Sequence, residues 1–330
     1  MDDDSAHLVR RSRFHIALDS LTGAGLGFSL RRAVAGTELP MEGELDIWLD
    51  PMAISAADEA LARASFHRFR APGQGRHRFY LACEEGRWFK IDAKLHEGGR
   101  PGPDRAELPG PLERMHGALA RRRFAGLRRL GPVVAVLGPD GAGKTSVIAG
   151  LRGYIPVAVT ALYLGRRRTR RRSVTGPKGP NEQDEVARSR AGRLRETAFV
   201  LRNAIRSWTR LLPGYLAAWR GHIVLCDRHP IEILAVRPRR TQPARAIERF
   251  IAGHVIPRPD AMIVLDAPGE ILLERKSDHS TQQLEQWRRS YAEAFVPLGA
   301  TIVPTTGPPK EAITQVSSVV WEALRQRRSW

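Results

Sequence analysis

The spacing of apolar and polar residues changes character near residue 130. Beyond it, short, mainly apolar runs alternate with segments of helical spacing. Val133–Leu137, Val157–Leu164, His222–Cys226, Ala261–Leu265 and Ala300–Val303 predict strands. Thr145–Leu151, Asp184–Trp219, Ala244–Val255, Glu270–Lys276, Thr281–Phe295 and Lys310–Arg325 predict helices, the long second one with a candidate break at Pro213-Gly214. Apolar strands without alternation are expected to be covered on both faces. Strand and helix in alternation predict an α/β fold with a parallel sheet flanked by helices.

Before residue 98 the order differs. A helix is expected near Phe14–Thr22, strands near Gly27–Arg31 and Leu45–Leu49, and a second helix near Ala56–Ala64. Phe66–Phe69, His77–Cys83 and Trp88–Ala93 then read as antiparallel strands, which makes a smaller α+β domain. Between the halves, Gly98–Pro111 is too rich in Gly and Pro for a regular helix or central strand. Leu112–Leu130 carries Leu112, Met115, Leu119, Phe124, Leu127 and Leu130 at near-helical spacing. The expected division is residues 1–97, a linker and connecting helix over 98–127, and an α/β domain over 128–330.

Charge adds one thing to this picture. Lys and Arg number 53 against 35 Asp and Glu, a formal net charge of +18, which favours anionic partners such as nucleotides, nucleic acid or acidic lipid. No apolar run is long enough to cross a bilayer, and the opening MDDDSAHLVRRSRFH has no apolar leader, so a cytoplasmic location is expected. Cys83 and Cys226 are too few for a disulfide framework and suit no metal site.

The strongest chemical signal is GPDGAGKT, residues Gly138–Thr145, placed between an expected strand and an expected helix. This is the phosphate-loop pattern of P-loop NTPases. Gly138, Gly141 and Gly143 let successive N–H groups turn inward toward phosphate oxygens, and the following helix adds its positive end. Lys144 reaches the β- and γ-phosphates, and Thr145 offers its hydroxyl to Mg²⁺. The expected ATP-binding set is Gly138, Pro139, Asp140, Gly141, Ala142, Gly143, Lys144, Thr145 and Ser146, with ATP and Mg²⁺ as cofactors.

Three segments together resemble the thymidylate kinase family over most of residues 131–330: the phosphate loop in its G-x-D-G-x-G-K-T form, HIVLCDRHP, and PRPDAMIVLDAPGEILLERK. The resemblance implies a P-loop kinase of the nucleoside monophosphate kinase branch. It implies that Asp140 faces the acceptor's sugar, that Asp227 holds Mg²⁺ through water, and that Arg228 grips the acceptor phosphate with its two-pronged guanidinium. Arg275 falls on the ATP side of the site. The expected catalytic set is thus Lys144, Asp140, Asp227 and Arg228, with Thr145 and Asp227 serving the metal.

The chain also departs from that family. The Arg-Glu-Pro turn expected after the second strand is replaced by ALYLGRRRTRRRSVTGPKGP. The lid segment Lys276–Gln286 has Lys276 as its one basic residue; Arg288 and Arg289 come later, in a helix. ERKSDHSTQQLEQWRRSY is closer to kinase-like proteins found with bacterial surface-polysaccharide genes. The acceptor is therefore left open as a nucleoside monophosphate or another small anion. The run Arg166–Arg172 is expected to be an exposed loop, read either as an acceptor clamp or as a solvated segment.

In the first half, AGTELPMEGELDIWLD weakly resembles the nucleotidyltransferase signature. Gly36-Thr37 stands for its glycine pair, and Glu44 and Asp46 for two carboxylates on one strand face, with Asp92 as a third metal ligand. An active transferase, an inactive domain of that fold and an unrelated module all remain open. For the whole chain the leading expectation is ATP-dependent phosphotransfer to a small anionic acceptor. The alternatives are a nucleic-acid- or membrane-associated ATPase and a non-catalytic ATP-binding regulator. Nucleic acid is not the favoured partner, and a homodimer is left open.

Overall fold

A computed structural model describes residues 12–31, 39–69, 77–96, 131–165, 190–235, 242–276 and 279–328. The linker, the segment 112–130, Gly36-Thr37 and the run Arg166–Arg172 lie outside these residues. The chain divides into two units, Met1–Leu127 with Gly153–Val157, and Arg128–Arg152 with Ala158–Trp330.

In the first unit, alternation decides which face of the sheet is covered. Strand β2 (Gly43–Leu49) buries Leu45, Ile47 and Leu49 and turns Glu44, Asp46 and Trp48 the other way. The sheet order is β1 (Phe28–Leu30), β2, β5 (Arg87–Leu95), β4 (His77–Glu84) and β3 (His67–Phe69). Pairing is antiparallel except between β2 and β5. Helices α1 (Arg13–Gly23) and α2 (Ile54–Arg63) join this core through Phe14, Ala17, Leu21, Ala57, Ala60 and Leu61. The expected α+β module with antiparallel β3, β4 and β5 is what the structure contains.

In the second unit the strands are β6 (Val133–Leu137), β7 (Val159–Tyr163), β8 (Ile223–Asp227), β9 (Ala261–Asp266) and β10 (Thr301–Pro304). Their order is β10-β9-β6-β8-β7, and every pairing is parallel. Every residue of β6 and β8 is buried, as wholly apolar runs require. On one face α7 (Thr281–Phe295) packs Tyr291 and Phe295 against Ala135, Leu137, Met262 and Val264. On the other, α4 (Arg190–Trp219) packs Ala217 and Ala218 against Val133, Val224 and Cys226. The remaining helices are α3 (Lys144–Tyr154), α5 (Gln242–Phe250), α6 (Gly269–Arg275) and α8 (Pro309–Arg328).

Two elements differ from expectation. Helix α4 runs unbroken through Pro213. A proline removes one backbone donor, but here the next residue presses on the sheet: a Cβ on Gly214 would meet Leu162 Cδ1 at 2.2 Å. Packing on that side outweighs the lost bond. The helix expected over Ala244–Val255 ends instead in a wider π-helical turn, Ile251–Val255. Among the described residues no helix is long and apolar enough to cross a membrane.

Candidate functional site

Strand β6 sits at the centre of its sheet, between β8 and β9. The chain leaves β6 toward one edge and later returns to build the other, so the carboxyl end of β6 is a topological switch point, the position at which open α/β sheets bind ligands. The loop Gly138–Gly143 occupies that point and leads into α3. Its backbone is held open by residues without Cβ. Gly138 and Gly141 have φ of 138° and 88°, and a Cβ would meet Leu265 O at 2.6 Å and Leu272 O at 2.8 Å.

Lys144 begins α3 and is 6% exposed. Its Nζ donates to Gly138 O at 2.7 Å and Pro139 O at 2.8 Å, which holds the ammonium over the loop. Burial pushes its pKa down, against the nearby charges of Glu232, Asp140 and Asp227. Thr145 Oγ1 donates to Asp227 Oδ2 at 2.7 Å. Asp227 is the last residue of β8 and also 6% exposed. Its neighbour Arg228 has φ 65°, a left-handed backbone that costs a non-glycine residue energy and marks a position held by its surroundings.

Arg228 lies between two carboxylates. Its Nη2 donates to Asp140 Oδ1, and its Nη1 is 3.8 Å from Glu232 Oε2. Asp140 Oδ2 also accepts from Lys276 Nζ at 2.9 Å. Burial alone raises the Asp140 pKa, but the Lys276 hydrogen bond and the charges of Arg228 and Lys144 outweigh it and bring it down to about 2. Lys276 thus reaches the loop from the end of α6.

Sequence reasoning missed the groups beneath this arrangement. Glu232 is largely buried, accepts a hydrogen bond from Tyr291 of α7, and has its pKa pushed up to about 7 by burial. Its Oε1 is buried with no hydrogen-bond partner. His229 Nδ1 accepts from Ile231 N at 3.3 Å, its Nε2 is buried without a partner, and burial drives its pKa down to about 4. The one available signal was that both follow Asp227-Arg228 within a few residues.

The remaining expected residues fall as follows. Pro139 and Ala142 are buried within the loop, and Ser146 is exposed on the first turn of α3. Arg275 Nη2 donates to Thr305 O at 2.7 Å, just past β10. Arg288 makes a two-pronged contact with Asp266 at 2.6 and 3.0 Å and a third bond to Glu285, so it serves the strand end rather than a lid.

In the first unit, Glu44, Asp46 and Asp92 do come together: one carboxylate oxygen from each lies within 4.8 Å of the others. Asp46 and Asp92 are register partners on β2 and β5. Basic side chains already meet the cluster. Lys90 bonds Glu44 at 2.7 Å, His77 bonds Asp92 at 2.7 Å, and Arg31 Nη1 is 3.7 Å from both Asp46 and Asp92. The oxygen donors suit a hard divalent ion, but Arg31 and Lys90 compete for the same charge and His77 occupies an oxygen of Asp92.

Comparison with family models and with curated proteins gives no match for this chain.

Proposed function

We propose that the second unit is an ATP-dependent phosphotransferase of the P-loop kinase type. The observation that carries this is the joining of three parts at the adjacent ends of β6 and β8: the glycine-opened loop, Lys144 held over it, and Thr145 bonded to Asp227. Phosphoryl transfer asks a protein mainly for position and charge neutralisation, and these parts supply both. Loop N–H groups and Lys144 bind the β- and γ-phosphates. Thr145 and Asp227 are hard oxygen donors, already paired, and fit Mg²⁺. Mg²⁺, when bound, neutralises charge on the nucleotide phosphates. Arg228, in reach of Asp140, orients an anionic acceptor. An acceptor oxygen attacks the γ-phosphorus as the bond to ADP breaks. The acceptor class is a nucleoside monophosphate or another small anion.

For the first unit we propose a non-catalytic role. Its three carboxylates are met by the charges of Arg31 and Lys90 and by a hydrogen bond between His77 and Asp92, which leaves reduced net negative charge for the paired metals of a nucleotidyltransferase. The test is an acceptor screen of the full chain with Mg-ATP, a panel of nucleoside monophosphates and sugars, and ADP release as readout. Acceptor-dependent ADP release supports the reading; a chain that binds ATP but transfers to none of the panel counts against it.

A further inference from the structure

Helix α4 has two apolar faces, and among the described residues only one is covered. Val200, Leu211, Ala217 and Ala218 are buried against the α/β unit. On another side, Leu194, Leu201, Ile205, Trp208 and Leu212 are 71%, 49%, 67%, 40% and 51% exposed. Their spacings of seven, four, three and four place all five within about 60° of one another at 100° per residue. They form one stripe about 27 Å long, well beyond the scattered apolar residues any surface carries.

The charges beside the stripe indicate what covers it. Arg195, Arg202 and Arg206 are exposed and follow stripe residues by one position, so they form a row along one flank. The helix holds six arginines and one acid, Glu196, which falls on the side away from the stripe. A second copy of this helix would set arginine rows near each other with no carboxylate to answer them. Nucleic acid would answer the arginines and leave the leucines wet. An anionic lipid surface answers both, with apolar side chains entering the acyl boundary, arginines at the headgroups, and Trp208 at the interface it favours.

We infer that this face of α4 docks the protein on an anionic membrane surface, peripherally and without spanning it. The chemistry requires a lipid bilayer with negatively charged headgroups. It is independent of the phosphotransfer reading, since none of these residues belongs to the site at β6 and β8.

The test is co-sedimentation of the full chain with vesicles of phosphatidylcholine alone and of phosphatidylcholine mixed with phosphatidylglycerol. We expect binding only to the mixed vesicles. Ile205→Glu with Leu212→Glu should lower the bound fraction at least tenfold, with circular dichroism unchanged. Arg202→Ser with Arg206→Ser, which leaves the stripe intact, should lower it roughly tenfold or more. Vesicle binding should shift the tryptophan emission to the blue in the native chain, and less in Trp208→Phe. No binding to mixed vesicles overturns the inference. So does full binding by the Glu variant with an unchanged Trp208 signal, which would assign the attraction to charge elsewhere. A dimer in solution that the Glu variant dissociates, with no vesicle binding, would assign the stripe to a second copy.

Discussion

Thr145 on the first turn of α3 and Asp227 at the end of β8 are joined by a 2.7 Å hydrogen bond across the top of the sheet. The bond ties the loop Gly138–Gly143 and α3 to the neighbouring strand end and sets two hard oxygen donors side by side, where the proposed Mg²⁺ would bind. Asp227→Asn keeps the size and the ability to accept from Thr145 but loses the charge. It should raise the Mg²⁺ concentration needed for turnover and lower the maximum rate by roughly a hundredfold. An unchanged Mg²⁺ dependence would show that Asp227 does not serve the metal.

Arg228 should separate stability from activity. Its φ of 65° suits glycine, so Arg228→Gly is expected to recover backbone energy on the order of 1 kcal/mol. Part of that gain is offset by the lost bond to Asp140 and by the more flexible unfolded chain. Turnover at low acceptor concentration should still fall at least tenfold, because a charge-assisted contact worth about 1.5–3 kcal/mol is gone. Arg228→Lys should fail similarly, since one ammonium does not reproduce a two-pronged contact. Thermal unfolding and acceptor kinetics on both variants check this; normal acceptor kinetics in the Lys variant would make Arg228 a structural ion pair only.

Glu232 gives a pH dependence with a definite sign. Burial raises its pKa to about 7, above the unfolded value of about 4.3, so the folded state holds a proton that the unfolded state releases. Stability should fall as pH rises between those values, by about 4 kcal/mol at most. His229 works the other way: its pKa near 4 lies below the unfolded value of about 6.5, so stability falls as pH drops through that window. The two nearly cancel between about pH 4.5 and 6.5. Glu232→Gln removes one of them, so the variant should melt higher than the native chain at pH 8 and near it at pH 4.5. A variant equally destabilised at both pH values would contradict the assignment.

The glycines of the loop make a steric prediction. Gly138→Ala must place its Cβ against Leu265 O in a φ region that side chains resist. It should cost about 1–3 kcal/mol and weaken nucleotide binding together. Gly143→Ala has open space around it and suffers from φ alone, so it should cost less. Equal losses at the two positions would argue that the loop relaxes freely.

The sequence carried the fold wherever one physical signal dominated. β6 and α7 have the bounds that apolar continuity and helical spacing predict. Strand alternation also brought Glu44, Asp46 and Asp92 to one place. What stayed hidden depends on pairing between distant segments. The basic side chains that meet those carboxylates arrive through strand register and neighbouring strands, and no local pattern announces them. Glu232 is a polar residue in a short turn, and its significance comes from Tyr291 on a later helix. Pro213 looked like a break because the packing of Gly214 on Leu162 is not a local property.

Delivery of the γ-phosphate of ATP from this loop to an acceptor, as proposed, is tested by label transfer. The full chain is incubated with Mg²⁺, ATP labelled at the γ-phosphate and the acceptor panel, beside Lys144→Ala. The account predicts that label moves from ATP to at least one acceptor with the native chain. It predicts a rate reduced roughly a hundredfold or more in the variant, with an unchanged circular dichroism spectrum. Equal transfer by a well-folded Lys144→Ala, or no labelled acceptor from a native chain that binds ATP, would contradict it.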